Sequence, residues 1–210
     1  MSAWNNAQTH ELNWWLSIEG KMKEVLERTE LSAQVIEKKM KELGQGVPPS
    51  LIEIGTGANG FVNFMHFGQK VGVEPLYQSF RTKGIGLFRD DVRWIEGQGE
   101  KIPLPDSAFG FAILFNVIDH TENPKLILSE LRRLMTDRAV LYFMVDTYSF
   151  SYVLLKLIRP NQMHPHTYTP AMIHRLMKKF GFQPVLIEDD KTATGGWGNR
   201  IIRRFYILHK

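Results

Sequence analysis

The chain has 210 residues, 43% of them hydrophobic and 23% charged, with a formal charge of +4 and no cysteine. That size and apolar content suit one globular domain, and the lack of cysteine excludes disulfides, thiolate nucleophiles and thiolate metal sites while fitting a reducing, cytoplasmic setting. No run approaches the roughly 18 apolar residues that membrane insertion needs, residues 1–10 lack a signal peptide's regions, and the positive charges are scattered rather than gathered into a nucleic-acid-binding patch.

Residues 11–28 place Leu12, Trp15, Leu16, Met22, Val25 and Leu26 near helical spacing, and residues 31–43 repeat the pattern with Val35, Ile36 and Met40. Residues 1–47 are therefore expected to form a cap of two amphipathic helices. Trp14 and Trp15 on it either cover a core edge or line a pocket. From residue 48 to residue 210, strands and helices alternate, which predicts an α/β core with a mostly parallel sheet covered on both faces. The expected elements are strand 51–55, helix 59–68, strand 70–74, helix 76–83, strand 92–96, strand 110–116, helix 124–135, strand 138–145, helix 150–158, helix 170–180 and strands 183–189 and 201–208. Thr169 and Pro170 form an N-cap and first-position pair, and Gly181 is a fitting C-terminal cap. Residues 191–199, with three glycines, read as a hairpin loop.

The stretch Leu51-Ile-Glu-Ile-Gly-Thr-Gly-Ala-Asn-Gly60 carries the strongest local signal. It is a short apolar strand running into a glycine-rich turn, which leaves backbone N–H groups free and lets a ligand approach the main chain. Gly55, Gly57 and Gly60 also satisfy a dinucleotide fingerprint, with Glu74 as the ribose-binding acid, so the turn alone leaves a nicotinamide-dependent oxidoreductase open. Downstream come Ile95-Glu-Gly-Gln-Gly-Glu-Lys-Ile-Pro-Leu-Pro-Asp-Ser-Ala-Phe109, the apolar run Phe111-Ala-Ile-Leu-Phe-Asn116, and Val117-Ile-Asp-His-Thr-Glu-Asn-Pro124. This ordered set, over roughly residues 50 to 190, resembles the class I S-adenosylmethionine-dependent methyltransferases, particularly small-molecule enzymes of quinone biosynthesis and sugar modification.

The resemblance implies a Rossmann-like three-layer sandwich, with a seven-stranded, mostly parallel sheet whose last strand is antiparallel. It implies methyl transfer from S-adenosylmethionine to a small-molecule acceptor, the other reading being a non-catalytic S-adenosylmethionine sensor or partner protein. Glu53 is placed facing the cofactor's ammonium, Gly55, Thr56, Gly57 and Gly60 at its amino-acid end, and Glu74 with Pro75 at the ribose hydroxyls. Gly97, Gln98 and Gly99 fall at the adenine edge, where Gln98 replaces the family's usual aspartate. Asn116 and Val117 lie beside the transferable methyl. His120 is the candidate catalytic residue, orienting the acceptor or taking its proton; it can equally cap the following helix or line the pocket. Residues 159–169 resemble the His-rich segment laid over the acceptor site, with His164, His166 and Tyr168 as candidate substrate contacts. A metal is not expected, because no carboxylate near these histidines completes a ligand set.

Overall fold

The computed structural model describes residues 3–158, 165–188 and 200–210. Seven strands form one sheet: β1 (Ser50–Ile54), β2 (Gln69–Val73), β3 (Arg93–Ile95), β4 (Phe109–Phe115), β5 (Met135–Thr147), β6 (Phe182–Ile187) and β7 (Arg200–Leu208). Their order is β3-β2-β1-β4-β5-β7-β6, parallel throughout except that β7 runs antiparallel to β5 and β6. The helices are α1 (Ala3–Ser17), α2 (Met22–Leu43), α3 (Tyr77–Lys83), α4 (Pro124–Leu134), α5 (Phe150–Ile158) and α6 (Pro170–Lys179).

Buried strands explain the run-on apolar character of β1 and β4, since a strand covered on both faces has no side to leave polar. One core cluster joins Ile52, Ile54, Ala112 and Leu114 to Ile127 and Leu131 of α4 and to Ile173 and Met177 of α6. The other joins Leu51, Phe111 and Ile113 to Ala33, Ile36 and Met40 of α2. The sheet is thus the middle of three layers. Register then fixes the site: Ile54 pairs with Val73 on one side and Leu114 on the other, and Val73 pairs with Ile95. The residues that follow these four positions all emerge at the carboxyl edge where the strand order reverses between β1 and β4, the usual ligand crevice of an open α/β sheet.

Three expectations need correction. The helix expected at 59–68 is only a single 3-10 turn, Phe61–Asn63. Phe61, Val62, Asn63 and Met65 are all buried, so the segment lacks the exposed stripe an amphipathic helix requires. The Asn63 amide bonds the carbonyls of Gly60 and Leu87 and accepts from the Arg89 N–H, offering the backbone partners other than a helix ladder. In the cap, the break falls at residues 18–21, around Gly20, rather than near residue 30, and α2 runs unbroken for 22 residues. Finally β5 begins at Met135, directly after α4, with no intervening loop. The glycine-rich loop expected at 191–199 lies outside the described residues.

The segment from 96 to 107 has little regular structure and is held by α4. Arg133 donates to the carbonyls of Ile102 and Leu104 and pairs with Asp106 and Glu130, while Glu130 also accepts the Ile102 N–H at 2.7 Å. Replacing Arg133 with alanine leaves Glu130, with a side chain only 12% exposed, without its cation. We expect Arg133→Ala to lower unfolding stability by about 1–3 kcal/mol, the range for orphaning buried polar groups. Urea unfolding followed by circular dichroism checks this; an unchanged midpoint would show that the network contributes nothing.

Candidate functional site

A cleft of about 410 Å³ opens at the carboxyl edge of β1, β2 and β4, within the size range of small-molecule sites. Its lining includes Glu53, Gly55, Thr56, Gly57 and Gly60 from the end of β1 and the turn after it, and Glu74 and Pro75 from the end of β2. Gly97, Gln98 and Gly99 follow from the segment after β3, and Asn116, Val117 and His120 from the end of β4. The residues that the sequence singled out as cofactor contacts, scattered over 65 positions, are therefore brought to one cavity.

The glycine turn has a steric reason for its composition. Gly55 sits at φ +71°, and a Cβ there would lie 2.4 Å from a Val117 methyl; Gly57 sits at φ +58°, where a Cβ would meet the Trp15 ring at 2.7 Å. A side chain at either place would be strained twice, by the left-handed backbone and by the contact.

Two buried carboxyls hold this turn in place. Glu53 accepts the Val62 N–H at 2.7 Å, and Glu74 accepts the N–H groups of Gly57 at 2.8 Å and Leu76 at 2.9 Å. Burial pushes the Glu53 carboxyl up to about 8 and that of Glu74 up to about 7, against the lowering effect of these same hydrogen bonds. The pair is poised to ionise near neutrality, and a carboxylate with two oxygens keeps lone pairs for a ligand after accepting one N–H on each.

The segment after β3 divides its work. Gly97, Gln98 and Gly99 face the cleft, whereas Glu100 Oε1, also at the cleft wall, accepts the N–H groups of Glu122 and Asn123 at the start of α4. At the other end of the cleft, His120 follows a turn closed by its N–H on the Val117 carbonyl at 2.9 Å. Its Nε2 lies 3.6 Å from Oδ2 of buried Asp119.

The His-rich segment is placed differently from the contact residues expected of it. Tyr168 is 8% exposed and packed into the core cluster with Ile173 and Met177, and burial pushes its hydroxyl well above the usual range. His166 is tied to the turn that carries His120: its N–H donates to the Asp119 carbonyl and its Nε2 lies 2.9 Å from the Thr121 carbonyl. Neither is among the residues that line the cleft, and His166 buttresses its wall. His164 lies outside the described residues. Among the described residues no group of three or more His, Asp or Glu is arranged to hold a metal.

The cap supplies a roof, the pocket-lining alternative that the sequence left open for Trp14 and Trp15. Gln8, Glu11, Trp14 and Trp15 of α1 and Val25, Arg28, Thr29 and Ser32 of α2 line the same cleft. Trp15 is both core and lining: it is 6% exposed, packs with Ala58, Phe80 and Ile85, and donates to Glu11 Oε1 at 2.9 Å. A usable signal existed, since residues 25, 28, 29 and 32 form one helical stripe of mixed polarity, unusual for a face buried against core.

A buried carboxyl pair, an amide at Gln98 and a turn rich in glycine suit a ligand with cationic, diol and purine parts, as S-adenosylmethionine has. Known proteins point the same way. A family model described as a methyltransferase domain matches residues 26–187. No curated protein matches the chain. Solved structures with the same fold include a putative methyltransferase in complex with a methyltransferase activator from Haloferax volcanii, with 14% identity, TM-score 0.66 and coverage of 95% of this chain and 98% of that one. A putative sarcosine dimethylglycine methyltransferase from Galdieria sulphuraria aligns with 12% identity and TM-score 0.65 over 87% of this chain and 86% of its own. Geranyl diphosphate C-methyltransferase from Streptomyces coelicolor A3(2) aligns with 16% identity and TM-score 0.63 over 90% and 83%. With the family model covering most of the chain and the strand order on the page, the chain belongs to the methyltransferase-domain family, as an S-adenosylmethionine-dependent enzyme of class I type.

Proposed function

We propose that this protein transfers a methyl group from S-adenosylmethionine to a small-molecule acceptor in the cleft under the N-terminal helices, in a cytoplasmic setting and without a nucleic-acid substrate. The observation that carries the reading is the pair of buried carboxyls, Glu53 and Glu74, at the ends of adjacent strands beside a glycine turn. Glu74 accepts hydrogen bonds from the ribose hydroxyls, and Glu53 balances the ammonium. Gly55, Thr56, Gly57 and Gly60 border the amino-acid end, Pro75 the ribose, and Gly97, Gln98 and Gly99 the adenine edge. Asn116 and Val117 flank the reacting end.

When bound, the cofactor supplies an already activated methyl group on a sulfonium. The chain's task is then to orient the acceptor and exclude water. His120, with its side chain 24% exposed, lines the cleft at the reacting end and orients the acceptor or takes up a proton it sheds. His166 acts from behind it, holding the turn that carries it, while Tyr168 packs into the core.

Isothermal calorimetry should detect S-adenosylhomocysteine and no NAD; NAD binding alone would sink the proposal. Glu74→Ala should weaken S-adenosylhomocysteine binding by about 1.5–3 kcal/mol, as for hydrogen bonds to a charged group. An unaltered dissociation constant would reduce Glu74 to a brace for the turn.

The raised carboxyls add a pH signature. Below pH 4.5 both are protonated whether folded or unfolded; between 4.5 and about 7 to 8 the unfolded chain has lost protons that the folded one keeps. Ligand-free stability from these groups therefore falls as pH rises through that window. A cationic cofactor favours the ionised pair, so binding should release protons and tighten between about pH 6 and 8. Calorimetry in buffers of different ionisation enthalpy counts the protons, and proton uptake on binding would contradict the assignment.

A further inference from the structure

We propose that α5, together with the first turn of α6, is a docking surface for an anionic lipid bilayer. α5 carries its apolar residues on the face turned to water. Phe150, Ser151, Leu154 and Leu155 share that face and all four are exposed, Phe150 by 75% and Leu154 by 51%. The one cation of the helix, Lys156, sits partly buried on the opposite face with Val153, its Nζ over the Tyr152 ring at 5.3 Å. Among the described residues every other helix contributes to a core cluster, and α5 contributes to none. A helix this apolar is stable where its surroundings are apolar too, so the exposed face calls for a partner.

Charge decides which partner. Residues 147–187 contain no Asp or Glu and five Lys or Arg, at positions 156, 159, 175, 178 and 179. That +5 exceeds the +4 of the whole chain. The first acid beyond the stretch, Glu188, is paired with Lys39 of α2. An apolar face set in a cationic stretch free of acids complements a surface that is apolar within and negative outside, which is an anionic leaflet. A second copy of the chain is the wrong occupant, because a two-fold contact through this face sets one +5 stretch against another.

Length and position fit a helix that lies on a bilayer rather than one that crosses it. No described helix is long and apolar enough to cross a membrane, and α5 has nine residues. Tyr148 and Tyr152 stack at its start with ring centroids 4.6 Å apart, and such amphipathic rings favour the boundary between water and lipid. The Tyr148 N–H donates to the Tyr168 carbonyl at 2.8 Å, which ties the entry of α5 to that of α6. There Met172 is exposed, and Arg175 follows one turn later on the same face. α5 begins three residues after β5 ends, at the carboxyl edge of the sheet on which the cleft also opens. Docking therefore turns the edge that carries the cleft toward the lipid.

The test is flotation of the full chain with vesicles of phosphatidylcholine alone and with vesicles of equal parts phosphatidylcholine and phosphatidylglycerol. Flotation with the mixed vesicles only, weakened by added salt, is the expected result. Phe150→Ser with Leu154→Ser should lower the affinity about tenfold or more, since it removes two of the side chains that enter lipid. Arg175→Gln should lower it about fivefold, the worth of one cation near an anionic leaflet. Both variants should keep the wild-type circular dichroism spectrum and unfolding midpoint, because none of these residues lines the cleft or belongs to a core cluster. Equal flotation with both kinds of vesicle, or with neither, would overturn the proposal. So would a concentration-dependent dimer that Phe150→Ser with Leu154→Ser dissociates, since a second copy would then cover the face.

Discussion

The geometry of the cleft hangs on carboxyl groups buried where charge is costly. Glu53 and Glu74 stand at the ends of neighbouring parallel strands, Glu74 accepting the Gly57 N–H inside the glycine turn and Glu53 the Val62 N–H just beyond it. A turn rich in glycine has many accessible conformations and little reason to choose one. Fixing the Gly57 N–H and the exit of the turn at Val62 on carboxyls that cannot themselves move, because β1 and β2 are buried, selects one conformation from many. The same burial that makes these acids rigid braces raises their proton affinity. Structural support and the raised proton affinity therefore reside in the same atoms.

A second brace works at a distance. Glu100 caps the start of α4 from the loop that also carries Gln98, and Arg133 near the end of α4 binds the continuation of that loop. The loop gets from α4 the order that its own glycines and prolines cannot provide. His166 plays a comparable part for the turn after β4, bonding it through both backbone and ring. Each wall of the cleft that lacks regular structure is thus tied to an element that has it.

This division explains what could be read from sequence. The strands were legible because burial on both faces forces runs such as residues 51–54 and 109–115 to be almost wholly apolar, and the residues that line the cleft were legible because they sit at fixed offsets from those strands. The turn at 61–63 was not, since its aromatic and apolar spacing mimics a helix while the deciding interactions are bonds from Asn63 to Leu87 and Arg89, more than twenty residues away. The roles of Tyr168 and His166 were hidden for a similar reason: a histidine-rich segment advertises chemistry, but whether a ring enters the cleft or bonds a backbone carbonyl depends on tertiary packing. The roof had a local signal in the polar stripe of α2, which reads as a solvated face until the cleft beneath it is known.

The parallel pairing of β1 with β4 carries a consequence for how the protein comes into being. Leu51 to Ile54 find their partners sixty residues later, at Phe111 to Leu114, and the ring of contacts around Gly55 closes only on Val117. During synthesis the glycine turn and both of its acidic anchors leave the ribosome well before the strand that flanks them exists. Such long-range pairing is slow to form and leaves apolar edges exposed while it waits. The cleft therefore cannot be finished until the chain has been made through residue 117, and a fragment ending before that residue would contain both acidic anchors and the glycine turn yet lack one wall of the pocket.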